Sequence, residues 1–196
     1  DRSVQAQAIS SPPTSVVTGP SVICPATTNT FSVTTDSTDP TTTYQWSLAN
    51  NTAGAILTGP TNGPMVGVVA NSAGSYSLEA IVLVASAKGI GSFSVNVTPP
   101  TTVSPLVDQT VCPRSDVTLS VTPAGTASFA FIWTKDGHVL AGATNSSLVL
   151  ANLVATDAGR YCVEVIGACG SASTCATLTV EPAPVLIGPA NLTREC

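Results

Sequence analysis

Asp157-Ala158-Gly159-Arg160-Tyr161-Cys162-Val163 is the stretch on which the reading of this chain turns. It runs Asp-x-Gly-x-Tyr into a segment whose side chains alternate, and it follows the apolar strand Leu148-Val149-Leu150. Upstream stands a tryptophan, Trp133, within Phe131-Ile132-Trp133-Thr134. The pattern is that of a turn leading into a half-buried strand.

Composition extends this to the whole chain. Among 196 residues, only 9% are charged and 43% are hydrophobic, with 15 glycines and 15 prolines. The longest apolar run, 80–85, is far shorter than a bilayer span. Serine and threonine supply the polarity, and β-branched threonine suits the solvent face of a strand. No three-turn amphipathic helix can be drawn, so the chain reads as all-β. Six lysines and arginines spread along the length cannot form a phosphate-tracking stripe, and the formal net charge of −5 also argues against an anionic membrane surface. Six cysteines without a Cys-x-x-Cys pair or a His/Cys cluster read as disulfides, hence an oxidising compartment. Asp1 reads as the start of a processed chain.

Taken in order, 1–15 is a polar, proline-bearing extended segment. Strands follow at Val16-Val17, Val22-Ile23-Cys24, 30–33, 43–48, 55–57, 65–69, 76–85 and 92–97, separated by Gly/Pro/Asn clusters. Pro99-Pro100-Thr101-Thr102 is a short, stiff linker. A second set then repeats the first. Cys24-Pro25 matches Cys112-Pro113, Trp46 matches Trp133, Ser72-Ala73-Gly74-Ser75-Tyr76 matches 157–161, and Val97-Thr98-Pro99 matches Val180-Glu181-Pro182. Landmarks in the same order mean tandem repeats, over 16–99 and 103–182, with a strand-like tail at 183–196. Asp136-Gly137 makes a hairpin turn after the second tryptophan strand.

The corner at Tyr161 and the tryptophan before it resemble the immunoglobulin-like sandwich. That resemblance implies a Greek-key fold in which Trp133 is buried between the sheets and Tyr161 ties the corner beneath. It also places the usual inter-sheet cysteines at Val121 and Val163, so valines close this core. In the first repeat, Gly-Pro-x-x-x-Cys-Pro and Tyr-x-Trp are similar to polycystic-kidney-disease-type (PKD-like) repeats of bacterial surface proteins, and the second repeat resembles bacterial immunoglobulin-like repeats. Tyr44, Trp46, Tyr76, Trp133 and Tyr161 then occupy core or corner positions rather than a sugar-stacking platform.

Cys162 and Cys175 align with Ser77 and Ser92 of the first repeat, so both are missing there together. Folding the strand after Cys162 back around Gly167-Ala168-Cys169-Gly170 sets the two cysteines opposite each other, at a separation a disulfide spans. In a head-to-tail tandem Cys24 pairs with Cys169 across the junction more easily than Cys112 does, leaving Cys112 and Cys196 to pair within the chain or with a neighbouring subunit.

Chemistry is thin. His138, the one histidine, has no nucleophile placed beside it and reads as a solvated loop residue. Asp36 and Asp39 flank a turn without the oxygen ligands calcium requires. Asp157 reads as a turn cap rather than a catalytic acid. Asn50, Asn96, Asn145 and Asn191 each begin Asn-x-Ser/Thr, a slight excess over chance that allows glycosylation, and threonine-rich turns allow O-glycans. No catalytic, cofactor or metal site is expected. The expectation is an extracellular, cell-surface structural module that self-associates into a filament or stalk through its terminal strands, or joins neighbouring domains of a longer chain. The rival readings are an adhesin binding glycans or protein, and an accessory domain of a larger secreted enzyme. Nucleic-acid binding and membrane insertion are not expected.

Overall fold

A computed structural model describes residues 11–181. The chain divides into two compact units, with the division between Pro99 and Pro100. Apart from one 3₁₀ turn, Ala155–Asp157, the regular elements of the described residues are all strands.

The first unit comprises β1 (Ser15–Thr18), β2 (Val22–Ile23), β3 (Thr28–Thr35), β4 (Thr43–Ala49), β5 (Ile56–Thr58), β6 (Met65–Val69), β7 (Gly74–Val84) and β8 (Ala87–Val97). They form two sheets, β1-β3-β6-β5 and β2-β8-β7-β4. Pairing is antiparallel except for β2 beside β8, where Ile23 lies opposite Val97. Alternation decides which face turns inward. On β7, Tyr76, Leu78, Ala80 and Val82 are buried, and they pack with Phe31, Val33, Trp46, Val66, Val68 and Val95 in one core. Burying each of the valine, leucine and phenylalanine side chains among them is worth about 1.5–3 kcal/mol. The chain leaves one sheet for the other at Gly19, where a Cβ would lie 2.2 Å from the Phe31 ring, so only glycine passes.

Strand β8 begins five residues before the expected start at Ser92. Gly89 and Gly91 disguise it, because glycine is depleted in strands. Both are buried, and β1 with its approach runs directly over them. A Cβ on Gly89 would fall 2.2 Å from the Pro13 carbonyl oxygen, and one on Gly91 2.7 Å from that of Ser15.

The second unit comprises β9 (Thr102–Val103), β10 (Gln109–Val111), β11 (Val117–Ser120), β12 (Pro123–Ala124), β13 (Ala130–Lys135), β14 (His138–Val139), β15 (Ser147–Leu150), β16 (Gly159–Gly167) and β17 (Gly170–Val180). The main sheet is β10-β17-β16-β13-β14, and facing strands form the pairs β11-β15 and β12-β9. Here β10 runs parallel to β17, with Val111 opposite Val180. Trp133, Tyr161, Val163, Val121 and Leu119 share a single core. Asp136 and Gly137, both at positive φ (50° and 82°), make the two-residue turn that sets Lys135 opposite His138.

Two details of the repeat alignment change. Register pairs Ser77 with Ser94, while Ser92 lies opposite Glu79. The counterparts of the opposed Cys162 and Cys175 are therefore Ser77 and Ser94. The tryptophans also differ in register. Trp133 lies opposite Val163, two residues after the corner tyrosine, whereas Trp46 lies opposite Ala80, four residues after it. A shift of two keeps both indoles facing inward, since the side-chain period of a strand is two.

Candidate functional site

The stretch around Tyr161 forms a corner whose parts explain one another. The buried Tyr161 hydroxyl donates to the Asp157 carbonyl at 2.8 Å. Asp157 Oδ2 accepts the Val154 N–H at 2.8 Å, closing the 3₁₀ turn that carries that carbonyl. Asp136 Oδ1 accepts the Arg160 N–H at 2.8 Å, and the Arg160 carbonyl accepts the Asp136 N–H at 2.9 Å. Gly159 is required between them, because a Cβ there would meet the Asp136 carboxylate at 2.5 Å and φ is +155°. Lys135 extends over the tyrosine ring, Nζ 5.8 Å from its centroid, and donates to the Thr156 carbonyl. Burial raises the Tyr161 hydroxyl above the ordinary tyrosine range, helped by the charges of Asp157 and Asp136.

The first unit builds the same corner from other groups. Thr52 Oγ1 stands where Asp136 does and accepts the Ser75 N–H at 2.9 Å. Gly74 is again obligatory, with φ +150° and a Cβ that would lie 2.9 Å from Thr52 Oγ1. The hydroxyl of Tyr76, however, is buried without a hydrogen-bond partner. Burial alone pushes its pKa up to about 12.

A second device recurs in both units. In the first, the loop before β6 straps the sheets together. The Trp46 indole N–H donates to the Gly63 carbonyl at 2.9 Å, and the Val33 N–H on the facing sheet donates to the Pro64 carbonyl at 2.9 Å. In the second, the Trp133 indole N–H donates to the Asn145 carbonyl at 2.8 Å and the Val121 N–H to the Ser146 carbonyl at 3.0 Å. Each strap satisfies a buried indole and a buried amide with adjacent carbonyls, which sets the spacing of the sheets.

The described aspartates are spent on architecture. Asp36, Asp39, Asp108, Asp116, Asp136 and Asp157 each accept a backbone N–H, from Thr14, Thr41, Thr177, Asn152, Arg160 and Val154 respectively. At Asp39 the Thr41 hydroxyl, and then the Thr41 N–H, hold the carboxyl below its ordinary value. His138 is exposed on the edge strand β14. No cluster of three or more metal-ligating side chains occurs among the described residues. A groove beside β11, lined by Pro105, Leu106, Val107, Gln109 and Thr118-Leu119-Ser120, contains no titratable side chain.

Cys162 and Cys175 are disulfide-bonded, with Cα atoms 4.0 Å apart. They lie on the outer face of the sheet, since Tyr161, Val163 and Ala176 point inward. Cys24, Cys112 and Cys169 are also disulfide-bonded. Cys112 follows Val111 at the Val180 end of β17, and Cys169 precedes Gly170 at the other end. At about 3.3 Å per residue that strand keeps them far beyond the reach of a common bond. Asn50 and Asn145 sit on exposed turns and Asn96 on the outer face of β8, with Thr98 buried and bonded to the Ile23 carbonyl. Cys196 and Asn191, like the segments 1–10 and 182–196, lie outside the described residues.

No protein-family model matches the sequence, and a search of curated proteins finds no relative. Solved structures do resemble it. A three-domain I-band fragment of titin superposes with a TM-score of 0.62 at 20% identity, covering 90% of this chain and 67% of that one. Extracellular domains 3–5 of Drosophila OTK give 0.58 at 17% identity, covering 87% and 60%. These likenesses establish the fold: tandem immunoglobulin-like sandwiches. Among the described residues no helix is long and apolar enough to cross a membrane.

Proposed function

We propose that this chain is a non-enzymatic extracellular module, a subunit or repeat segment of a fibre or stalk of the kind borne on bacterial surfaces, self-associating head to tail through its terminal segments. The observation that carries the reading is the deployment of its chemistry. Every described aspartate is bound to a backbone amide, the histidine stands alone, and the disulfide-bonded cysteines fit an oxidising exterior. Sandwiches with their polar groups turned into clasps suit a spacer that carries load rather than a vessel for a reaction. The resemblance of the first repeat to PKD-like repeats supports the bacterial assignment.

An adhesin that grips sugars stacks them on exposed aromatic rings. Neither of the two tryptophans, none of the three tyrosines and none of the four phenylalanines is exposed. The test is sedimentation and negative-stain microscopy of non-reduced protein over a range of concentrations. Oligomers or filaments are expected. Monomers at every concentration, together with saturable binding on a glycan array, would overturn the fibre in favour of an adhesin.

A further inference from the structure

The strap of the first unit contains Asn62-Gly63, the one Asn-Gly pair in the sequence. Asn62 is exposed on a bend, and the residues after it are the ones that hold the core: Gly63 through the Trp46 indole and Pro64 through the Val33 amide. Just before it, the Thr61 carbonyl accepts the Trp46 backbone N–H at 3.3 Å. We infer that Asn62 is a site of spontaneous succinimide formation whose product loosens the first sandwich and spares the second.

The chemistry needs only solvent. The Gly63 backbone nitrogen loses its proton and attacks the Asn62 side-chain carbonyl carbon. A carbon–nitrogen bond forms and ammonia leaves with the proton, closing a five-membered imide. Water then opens the ring at either carbonyl, giving aspartate or isoaspartate, with no change of oxidation state. Glycine favours the attack because it has no Cβ to block the approach and admits the twisted backbone the ring requires. In isoaspartate the main chain passes through the side-chain carbon and is one methylene longer. That insertion falls between the Thr61 and Gly63 carbonyls, so the anchors of Trp46 no longer share one spacing. The matching strap of the second unit carries Asn145-Ser146, whose side chain hinders the same attack.

The experiment is to age the purified chain in mildly alkaline buffer, map peptides by mass, score isoaspartate with an isoaspartyl methyltransferase, and follow amide exchange. Conversion is expected at Asn62 before any other asparagine, with faster exchange at the Trp46 and Val33 amides and an unchanged rate at Val121. Asn62→Gln, an exposed change that leaves the fold intact, abolishes the conversion, and Gly63→Ala slows it by an order of magnitude. Earlier conversion at Asn145 than at Asn62, or isoaspartate at 62 with Trp46 and Val33 still fully protected, would overturn the inference.

Discussion

The two units solve one problem with different groups. Both tie a corner tyrosine beneath a strand, both reserve a glycine for the polar clamp on the preceding amide, and both hang an indole from a strap. In the second unit the tyrosine hydroxyl reaches a carbonyl, a carboxylate holds the amide, and a disulfide bridges the neighbouring strands. In the first the hydroxyl is orphaned, a threonine replaces the carboxylate, and serines stand where the cysteines would be. The difference teaches that the sandwich depends on the shape of the corner and on the strap. The polar bonds around them are adjustable.

The disulfide is the sharpest contrast and carries the largest expected effect. Converting Cys162 and Cys175 together to serine removes a closed loop of sequence separation 13 and costs the second unit up to about 3 kcal/mol, read as a lower denaturation midpoint. The complementary test builds the bridge where it is missing. Ser77→Cys with Ser94→Cys should form a disulfide and raise the midpoint of the first unit. Ser77→Cys with Ser92→Cys should stay reduced, because register places Glu79 opposite Ser92.

Next come the corner glycines. Gly159→Ala drives a methyl into the Asp136 carboxylate and Gly74→Ala into Thr52, so each should destabilise its own unit by roughly 1–3 kcal/mol. Equal costs would confirm that the shape of the corner is shared despite its different clamp. A neutral Gly159→Ala in urea titration would break that equivalence.

The tyrosines should respond in opposite senses. Tyr161→Phe removes a hydrogen bond and leaves the Asp157 carbonyl short of a donor, at a cost of about 1 kcal/mol. Tyr76→Phe deletes a buried hydroxyl that has no partner and should be neutral or stabilising. Alkali tests the buried Tyr76 hydroxyl separately. The unfolded Tyr76 ionises near 10.0 and the folded one at about 12, so across that window the unfolded state binds fewer protons. The stability is complete below the lower value and is lost as pH rises toward the upper one. Tyr76→Phe should flatten this alkaline fall, the smallest effect of the set, measured as midpoint against pH.

Much of this was legible in the chain. The alternation on β7 and β16, the turn residues between strands and the repeated Gly-x-Tyr and tryptophan landmarks sufficed for the fold and for tandem sandwiches. Gly89 and Gly91 hid the start of β8, since their role lies in the strand that crosses above them. The straps were invisible for a similar reason. Backbone carbonyls of Gly63 and Asn145 do the holding, and a carbonyl leaves no residue-type signature.

Sequence by itself determined which side chains face inward, because strand alternation is a local, period-two property. It also determined where the chain must turn, because glycine, proline and asparagine set backbone angles one residue at a time. Only the tertiary structure decided that Trp46 sits two positions further along its neighbour than Trp133 does. It alone decided that one tyrosine hydroxyl finds an acceptor while the other does not, and which amide each aspartate clasps. Those outcomes depend on pairings between segments tens of residues apart, where a shift of two residues preserves every inward face and so leaves the local pattern unchanged.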